Sequence, residues 1–160
     1  PFILLFFLYY IRFPHTILCS ELATSTFSSN LKSLISKMVD PENATIVDVG
    51  AGTGLFLNLF RSMVGTKGSV YAIDITPKFI NFMKSRYQND NDNETLKFQL
   101  CTDKSTSLPE ETADIAFICD VYHHFEYPNT FMADLNKSMK TNGMVFMIDF
   151  YRQPSKMKSQ

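Results

Sequence analysis

The 160-residue sequence contains no tryptophan, only six glycines and three cysteines, and its formal net charge is −1. Each scarcity excludes something. Fifteen Lys and Arg are balanced by sixteen Asp and Glu, and the basic residues are scattered rather than clustered. Phosphate backbones need a cationic face, so nucleic acid is not an expected partner. Cys19, Cys101 and Cys119 show no C-x-x-C spacing and cannot all pair. That argues against a zinc site or disulfide framework and for a reducing compartment, and no metal is expected. Long apolar runs are scarce too. The longest, Phe2 to Ile11, would span roughly 15 Å as a helix, about half a bilayer core, too short to cross alone.

That run has no basic segment before it and is followed by Arg12, Pro14 and His15. Three readings stay open: part of a membrane anchor or the apolar region of a signal peptide, a non-native leader, or a core element. Residues 1–26 are therefore set apart as a leader, 27–152 form the expected domain, and 153–160 are a polar tail. The expected localisation is cytoplasmic, with membrane association through the leader as the alternative. Hydrophobic content of 45% and charged content of 19% fit one globular domain large enough to bury a core.

Three of the six glycines fall in one stretch, Val47-Asp48-Val49-Gly50-Ala51-Gly52-Thr53-Gly54. An apolar run, Ile46 to Val49, precedes it, and Leu55 to Val64 follows with helical spacing. The pattern reads strand, glycine turn, helix. Glycine admits tight turns and close ligand approach, and a helix start offers free N–H groups. A nucleotide-type cofactor site is expected here.

Strand and helix then alternate. A helix from Phe27 to Val39 has Thr26 or Ser28 as cap, followed by strands at Thr45–Val49 and Ser69–Asp74. Thr76-Pro77 opens a helix, with Pro at its first position. Further strands are expected at Thr95–Leu100, at Ala113–Cys119 (apolar on both faces) and at Met144–Phe150. A helix bearing Phe131, Met132, Leu135 and Met139 ends at Asn142-Gly143. The fold class is α/β, a doubly wound parallel sheet with its ligand at the carboxyl ends of the strands.

A dinucleotide fingerprint G-x-G-x-x-G would need glycine at position 55, where the chain has Leu55. Gly50-x-Gly52-x-Gly54 with Asp48 ahead of it resembles instead the class I S-adenosylmethionine-dependent methyltransferases. Four further segments resemble that family in order: Val70 to Asp74, Cys101-Thr102-Asp103, Ala113 to Asp120, and Leu135 to Phe146. The similarity is strongest to the quinone-biosynthesis and other small-molecule members. It implies strand order 3-2-1-4-5 and S-adenosyl-L-methionine as cofactor. It further implies that Asp48, Gly50, Ala51, Gly52, Thr53 and Gly54 hold the cofactor's amino-acid end. Asp74, followed by Ile75, would accept the ribose hydroxyls, and Asp103, beside Thr102, the adenine amine. Asp120 and Val121 would complete the shell after the fourth strand. A carboxylate can accept both O–H donors of a diol as charge-assisted bonds.

Methyl transfer from a sulfonium is an in-line displacement, driven largely by positioning; a base helps only a protonated acceptor. His124 and His123, in Asp120-Val121-Tyr122-His123-His124-Phe125, are the candidate bases, with packing or hydrogen bonding as the alternative for either. Tyr122 is a candidate pocket wall, and Asp149 and Arg152 are acceptor-side candidates. The partner is a small-molecule acceptor. The family's usual last two strands are not expected after Phe150, so the fifth strand would be an open edge prone to self-association. Two other functions stay in view: a catalytically silent cofactor-binding domain and an NAD(P)-dependent oxidoreductase.

Overall fold

Val and Ile dominate the short apolar runs, and these become strands, while runs with apolar residues three and four apart become helices. The computed structural model describes residues 7–11, 25–89 and 93–150. In chain order they form β1 (Phe7–Ile11), α1 (Ser25–Met38), β2 (Thr45–Val49), α2 (Leu57–Val64), β3 (Ser69–Asp74) and α3 (Pro77–Tyr87). β4 (Leu96–Leu100), β5 (Ala113–Cys119), α4 (Pro128–Ser138) and β6 (Met139–Phe150) follow. Short 3-10 turns lie at Asn93–Thr95 and Tyr122–His124.

The sheet runs β4-β3-β2-β5-β6-β1, and every pairing among the described residues is parallel. β2 to β6 are the expected first to fifth strands, in the expected order 3-2-1-4-5. Alternation along β2 divides the core between the two faces. Ile46 joins Leu31, Ile35, Phe60, Met83 and Phe117 on the face covered by α1, α2 and α3. Val47 and Val49 join Ala116, Ile118, Phe131 and Leu135 on the face covered by α4. Phe60 and Phe117 are fully buried and meet edge-on, centroids 5.1 Å apart. Truncating either to Ala is expected to cost about 3–5 kcal/mol.

Two expectations about partners are corrected here. The described part of the apolar run, Phe7–Ile11, is a strand hydrogen-bonded to β6, with Phe7 opposite Phe146 and Ile11 opposite Phe150. No helix among the described residues is long and apolar enough to cross a membrane, so the membrane association drawn from that run, and the membrane alternative for localisation, do not stand. The second correction follows from the same pairing. β6 lies between β5 and β1, so it is not the open edge on which self-association was expected. Residues 1–6 and 12–24 of the leader, Arg152 and the tail 153–160 lie outside the described residues.

β4 begins one residue and β6 five residues away from the expected start, at Leu96 and Met139, and three helices differ at their ends. α1 begins at Ser25, which puts Thr26 and Ser28 inside the helix. α2 begins at Leu57 with Phe56 as N-cap, because the chain first turns through bonds from Gly54 N–H to Ala51 O and from Leu57 N–H to Gly54 O. α4 stops at Ser138; Met139 is already extended (ψ 140°), and its N–H reaches back to the carbonyls of Leu135 and Asn136. Asn142 adopts a left-handed conformation (φ 68°). It does so in an irregular stretch of β6, between the Ala113–Met139 and Ile115–Met144 pairs.

Candidate functional site

β2 ends at Val49, and Gly50, Gly52 and Gly54 each take positive φ, at 69°, 54° and 79°. Two bonds from the end of β3 hold the loop: Gly50 and Ala51 N–H both donate to Ile73 O, at 2.9 and 3.1 Å. A Cβ on Gly50 would lie 2.5 Å from Cγ2 of Val121. The loop therefore packs directly against the segment after β5, and no side chain fits between them.

Asp74, 6% exposed, closes the arrangement. Its Oδ2 accepts from Gly52 N–H at 2.9 Å and its Oδ1 from Thr76 N–H at 2.8 Å. One carboxylate thus ties the glycine loop to the start of α3, and the remaining lone pairs are available to a ligand. The pairing of Gly52 with Asp74 joins two motifs 22 residues apart.

Two cavities flank Gly50. The first, about 190 Å³, is lined by Gly50, Asp74, Ile75, Thr102, Asp103 and Val121, together with Val49, Cys101, His124, Phe125, Glu126 and Phe131. The second, about 200 Å³, is lined by Asp48, Gly50, Ala51, Leu55, Phe56, Cys119 and Asp120. Both open at the carboxyl ends of the central strands, where this architecture binds ligands. Larger hollows of about 440 and 340 Å³ lie beside Arg61 and Thr66, and beside α1 and Ile148. Gly52, Thr53 and Gly54 line neither flanking cavity; Thr53 O instead accepts a long bond from Arg86, at 3.4 Å.

The first cavity is a slot. Phe125 and Phe131, centroids 4.7 Å apart, form one wall, and Ile75, 55% exposed, stands at the side. Phe131 is both core and wall. Thr102 and Asp103 sit on a turn that Asp134 anchors by accepting from Thr106 N–H (2.7 Å), Thr106 Oγ1 (2.8 Å) and Ser105 Oγ (3.1 Å). Thr102 Oγ1 is itself engaged as acceptor for Ser105 N–H at 3.0 Å. Burial first, and Asp74 second, push the Cys101 thiol up to about 11, so it remains a neutral thiol in this wall.

The second cavity contains a carboxylate in an unusual state. Asp48 is 3% exposed, and its Oδ2 has no hydrogen-bond partner. Burial, and then the neighbouring Asp74 charge, push its pKa from an ordinary 3.8 up to about 7.

The two histidines part company. His123 Nδ1 lies 3.0 Å from Asp149 Oδ1, and His123 N–H donates to Asp149 Oδ2 at 3.2 Å. Asp149, 8% exposed, sits near the end of β6 and so orients the imidazole that follows β5. His124 is exposed and lines the first cavity, its ring centroid 3.9 Å from that of His123. Ligand atoms of Asp120, His123 and Asp149 lie within 4.8 Å of one another, a spacing a cation could bridge, but the His123–Asp149 hydrogen bond already joins two of them. Tyr122 packs on Phe125, centroids 5.4 Å apart.

Glu126, Phe125, Cys119 and Asp134 were not singled out from the sequence. Their roles depend on contacts between segments distant in the chain, although the Tyr-His-His-Phe tract was the signal that pointed toward Phe125.

Residues 47–147 match the family model described as a methyltransferase domain. The match covers most of the chain and the whole glycine-loop site, and the chain belongs to that family. Among solved structures it is similar to a SAM-dependent methyltransferase from Aquifex aeolicus, with 25% identity over 81% of this chain and 69% of that one, at a TM-score of 0.63. It is also similar to the YcgJ protein of Bacillus subtilis (23% identity, 79% of this chain, 51% of that one, TM-score 0.67). A third is an S-adenosylmethionine-dependent methyltransferase from Mesorhizobium loti (17%, 71%, 50%, TM-score 0.58). The chain thus spans about half the length of the last two. No curated protein matches it. The family and these relatives agree with S-adenosyl-L-methionine as the cofactor.

Proposed function

We propose that the chain transfers a methyl group from S-adenosyl-L-methionine to a hydroxyl on a small-molecule acceptor. The observation that carries the donor is the charge of the two cavities. Asp48 and Asp120 line one, Asp74, Asp103 and Glu126 the other, and no Lys or Arg lines either. A dinucleotide would bring a pyrophosphate into this anionic field, unlike a ligand carrying a sulfonium and an ammonium. The slot of Phe125, Phe131 and Ile75 suits a flat adenine, Asp74 the ribose diol, and the cavity of Asp48 and Ala51 the amino-acid end.

The cofactor would supply an electrophilic methyl group, and the chain's own residues position what surrounds it. The His123–Asp149 pair supports a hydroxyl acceptor. A neutral imidazole that donates Nδ1–H to a carboxylate keeps its lone pair on Nε2, the atom that takes a proton in general-base catalysis. His123 is the proposed base and Asp149 its positioning residue; His123 Nε2 is buried and the residue lines neither cavity, while His124 borders the adenosine slot. The test is to incubate the chain with donor and a panel of phenols, alcohols and amines, and to measure the thioether product. Product with a hydroxyl acceptor, lost in Asp149→Asn while donor binding survives, supports the reading. Donor binding without product from any acceptor would make the chain a silent binder, and product with amines alone would remove the need for the base.

A further inference from the structure

Two strips of chain form opposite lips of the adenosine slot. Cys101, Thr102 and Asp103 line it on one side, and His124, Phe125 and Glu126 on the other. The next residue on each side, Lys104 and Tyr127, lines neither flanking cavity, yet the two meet. Lys104 Nζ stands over the Tyr127 ring, 4.1 Å from its centroid. A cation at that distance is attracted by the ring's quadrupole; both residues are exposed, which keeps the attraction modest.

Both lips are rooted in α4. Asp134 holds the first through Ser105 and Thr106. Tyr127 is the N-cap residue of the same helix, and its carbonyl accepts from Phe131 N–H at 2.9 Å. The roots are thus fixed by hydrogen bonds, and beyond them the Lys104–Tyr127 contact joins the lips. Glu126, through its charge and a hydrogen bond, then burial and Asp103, hold the Tyr127 phenol above its usual range. The ring stays neutral, and both acids attract the ammonium that sits over it.

Resting on the S-adenosylmethionine reading, we propose that Lys104 and Tyr127 form a clasp over the adenosine slot, setting how fast the donor enters and the product leaves. A ligand passes when the lips part, and parting them takes the ammonium off the ring. Neither residue lines the slot, so this cost falls equally on entry and exit. Donor and product share the adenosine, so the clasp acts on both alike. Losing the pair speeds association and dissociation by the same factor, about two- to fivefold for an exposed cation–π contact, and leaves affinity unchanged. Both are positioning residues, acting through the lips they join.

The test is surface plasmon resonance on the immobilised chain, with S-adenosylmethionine and, separately, S-adenosylhomocysteine as probes. Tyr127→Leu and Lys104→Met should each raise kon and koff of both probes by about two- to fivefold, with Kd unchanged. Tyr127→Leu alters no charge, so its agreement with Lys104→Met separates the clasp from long-range attraction of a cationic donor. Tyr127 caps α4 without a side-chain bond, so the helix start survives the change. Lys104→Arg and Tyr127→Phe keep a cation over a ring and should retain wild-type rates. The double variant Lys104→Met with Tyr127→Leu should be no faster than either single one. Unchanged rates in the single variants overturn the proposal. So does a rise in koff alone, which would make these residues ligand contacts, or additive effects in the double variant. Failure of the wild-type chain to bind either probe overturns the donor reading itself, and this proposal with it.

Discussion

Replacing Asp48 with asparagine should stabilise the ligand-free chain at neutral and alkaline pH, and progressively less as the pH falls. The carboxyl titrates at an ordinary 3.8 in the unfolded chain and at about 7 in the fold. Below 3.8 both states hold the proton, and Asp48 does not disfavour folding. Between 3.8 and about 7 the unfolded chain releases the proton while the fold keeps it, so native stability falls as pH rises. Above about 7 the loss is complete. At about 1.4 kcal/mol per pKa unit, a rise from 3.8 to about 7 corresponds to a penalty of about 4 kcal/mol, an upper bound because water penetration relieves part of it. Asparagine carries no charge to bury. Urea unfolding of both proteins without ligand, at pH 5, 6, 7 and 8, measures the difference. The advantage of Asp48→Asn should grow by about 2–3 kcal/mol from pH 5 to 8. Parallel stability curves would show that Asp48 ionises normally in the fold and refute the reasoning.

Gly50→Ala should abolish donor binding and destabilise the chain by about 1–3 kcal/mol, since it combines positive φ with a Cβ 2.5 Å from Val121 Cγ2. Adding Val121→Ala should restore part of the stability, and strict additivity in a melting series would deny the contact. Asp74→Asn keeps the shape of the side chain but turns an NH2 toward one of the two N–H groups it now accepts from. Donor affinity measured by calorimetry should fall about tenfold or more, with about 1–3 kcal/mol lost from stability; unchanged values would detach Asp74 from the loop. His123→Ala and Asp149→Asn should each lower kcat on a hydroxyl acceptor by about 10²–10⁴-fold without changing the donor Kd. The double variant should be no worse than His123→Ala, and additive losses in steady-state kinetics would separate the two residues.

The sheet was legible because its signals are local. Ile46 to Val49, Val70 to Asp74 and Ala113 to Cys119 are short apolar runs bounded by turn residues, and they became strands within a residue of the expected limits. Phe7–Ile11 was not legible as a strand. Ten consecutive apolar residues carry no period-2 alternation, and only the register with Phe146 to Phe150 reveals the pairing. Asn142-Gly143 has the composition of a helix end, yet α4 stops earlier, where the carbonyls of Lys137 and Ser138 accept from Glu111 and Thr112 N–H. Those donors come from a distant loop. The candidate site divides in the same way: the loop glycines and Asp74 announce themselves by spacing, whereas the His123–Asp149 pair forms only because β5 and β6 lie side by side. The same spacing hid which histidine meets a carboxylate. The state of Asp48 depends on burial and on Asp74, neither of which a glycine-loop motif records.

The central claim is that the acid-lined cavities around Gly50 hold a cationic methyl donor. Calorimetric titration of the chain with S-adenosylmethionine, set against identical titrations with NAD and NADP, tests it most directly. One molecule of S-adenosylmethionine bound per chain, with no heat of binding from either dinucleotide, is the predicted result. Binding of a dinucleotide in preference to S-adenosylmethionine would contradict it.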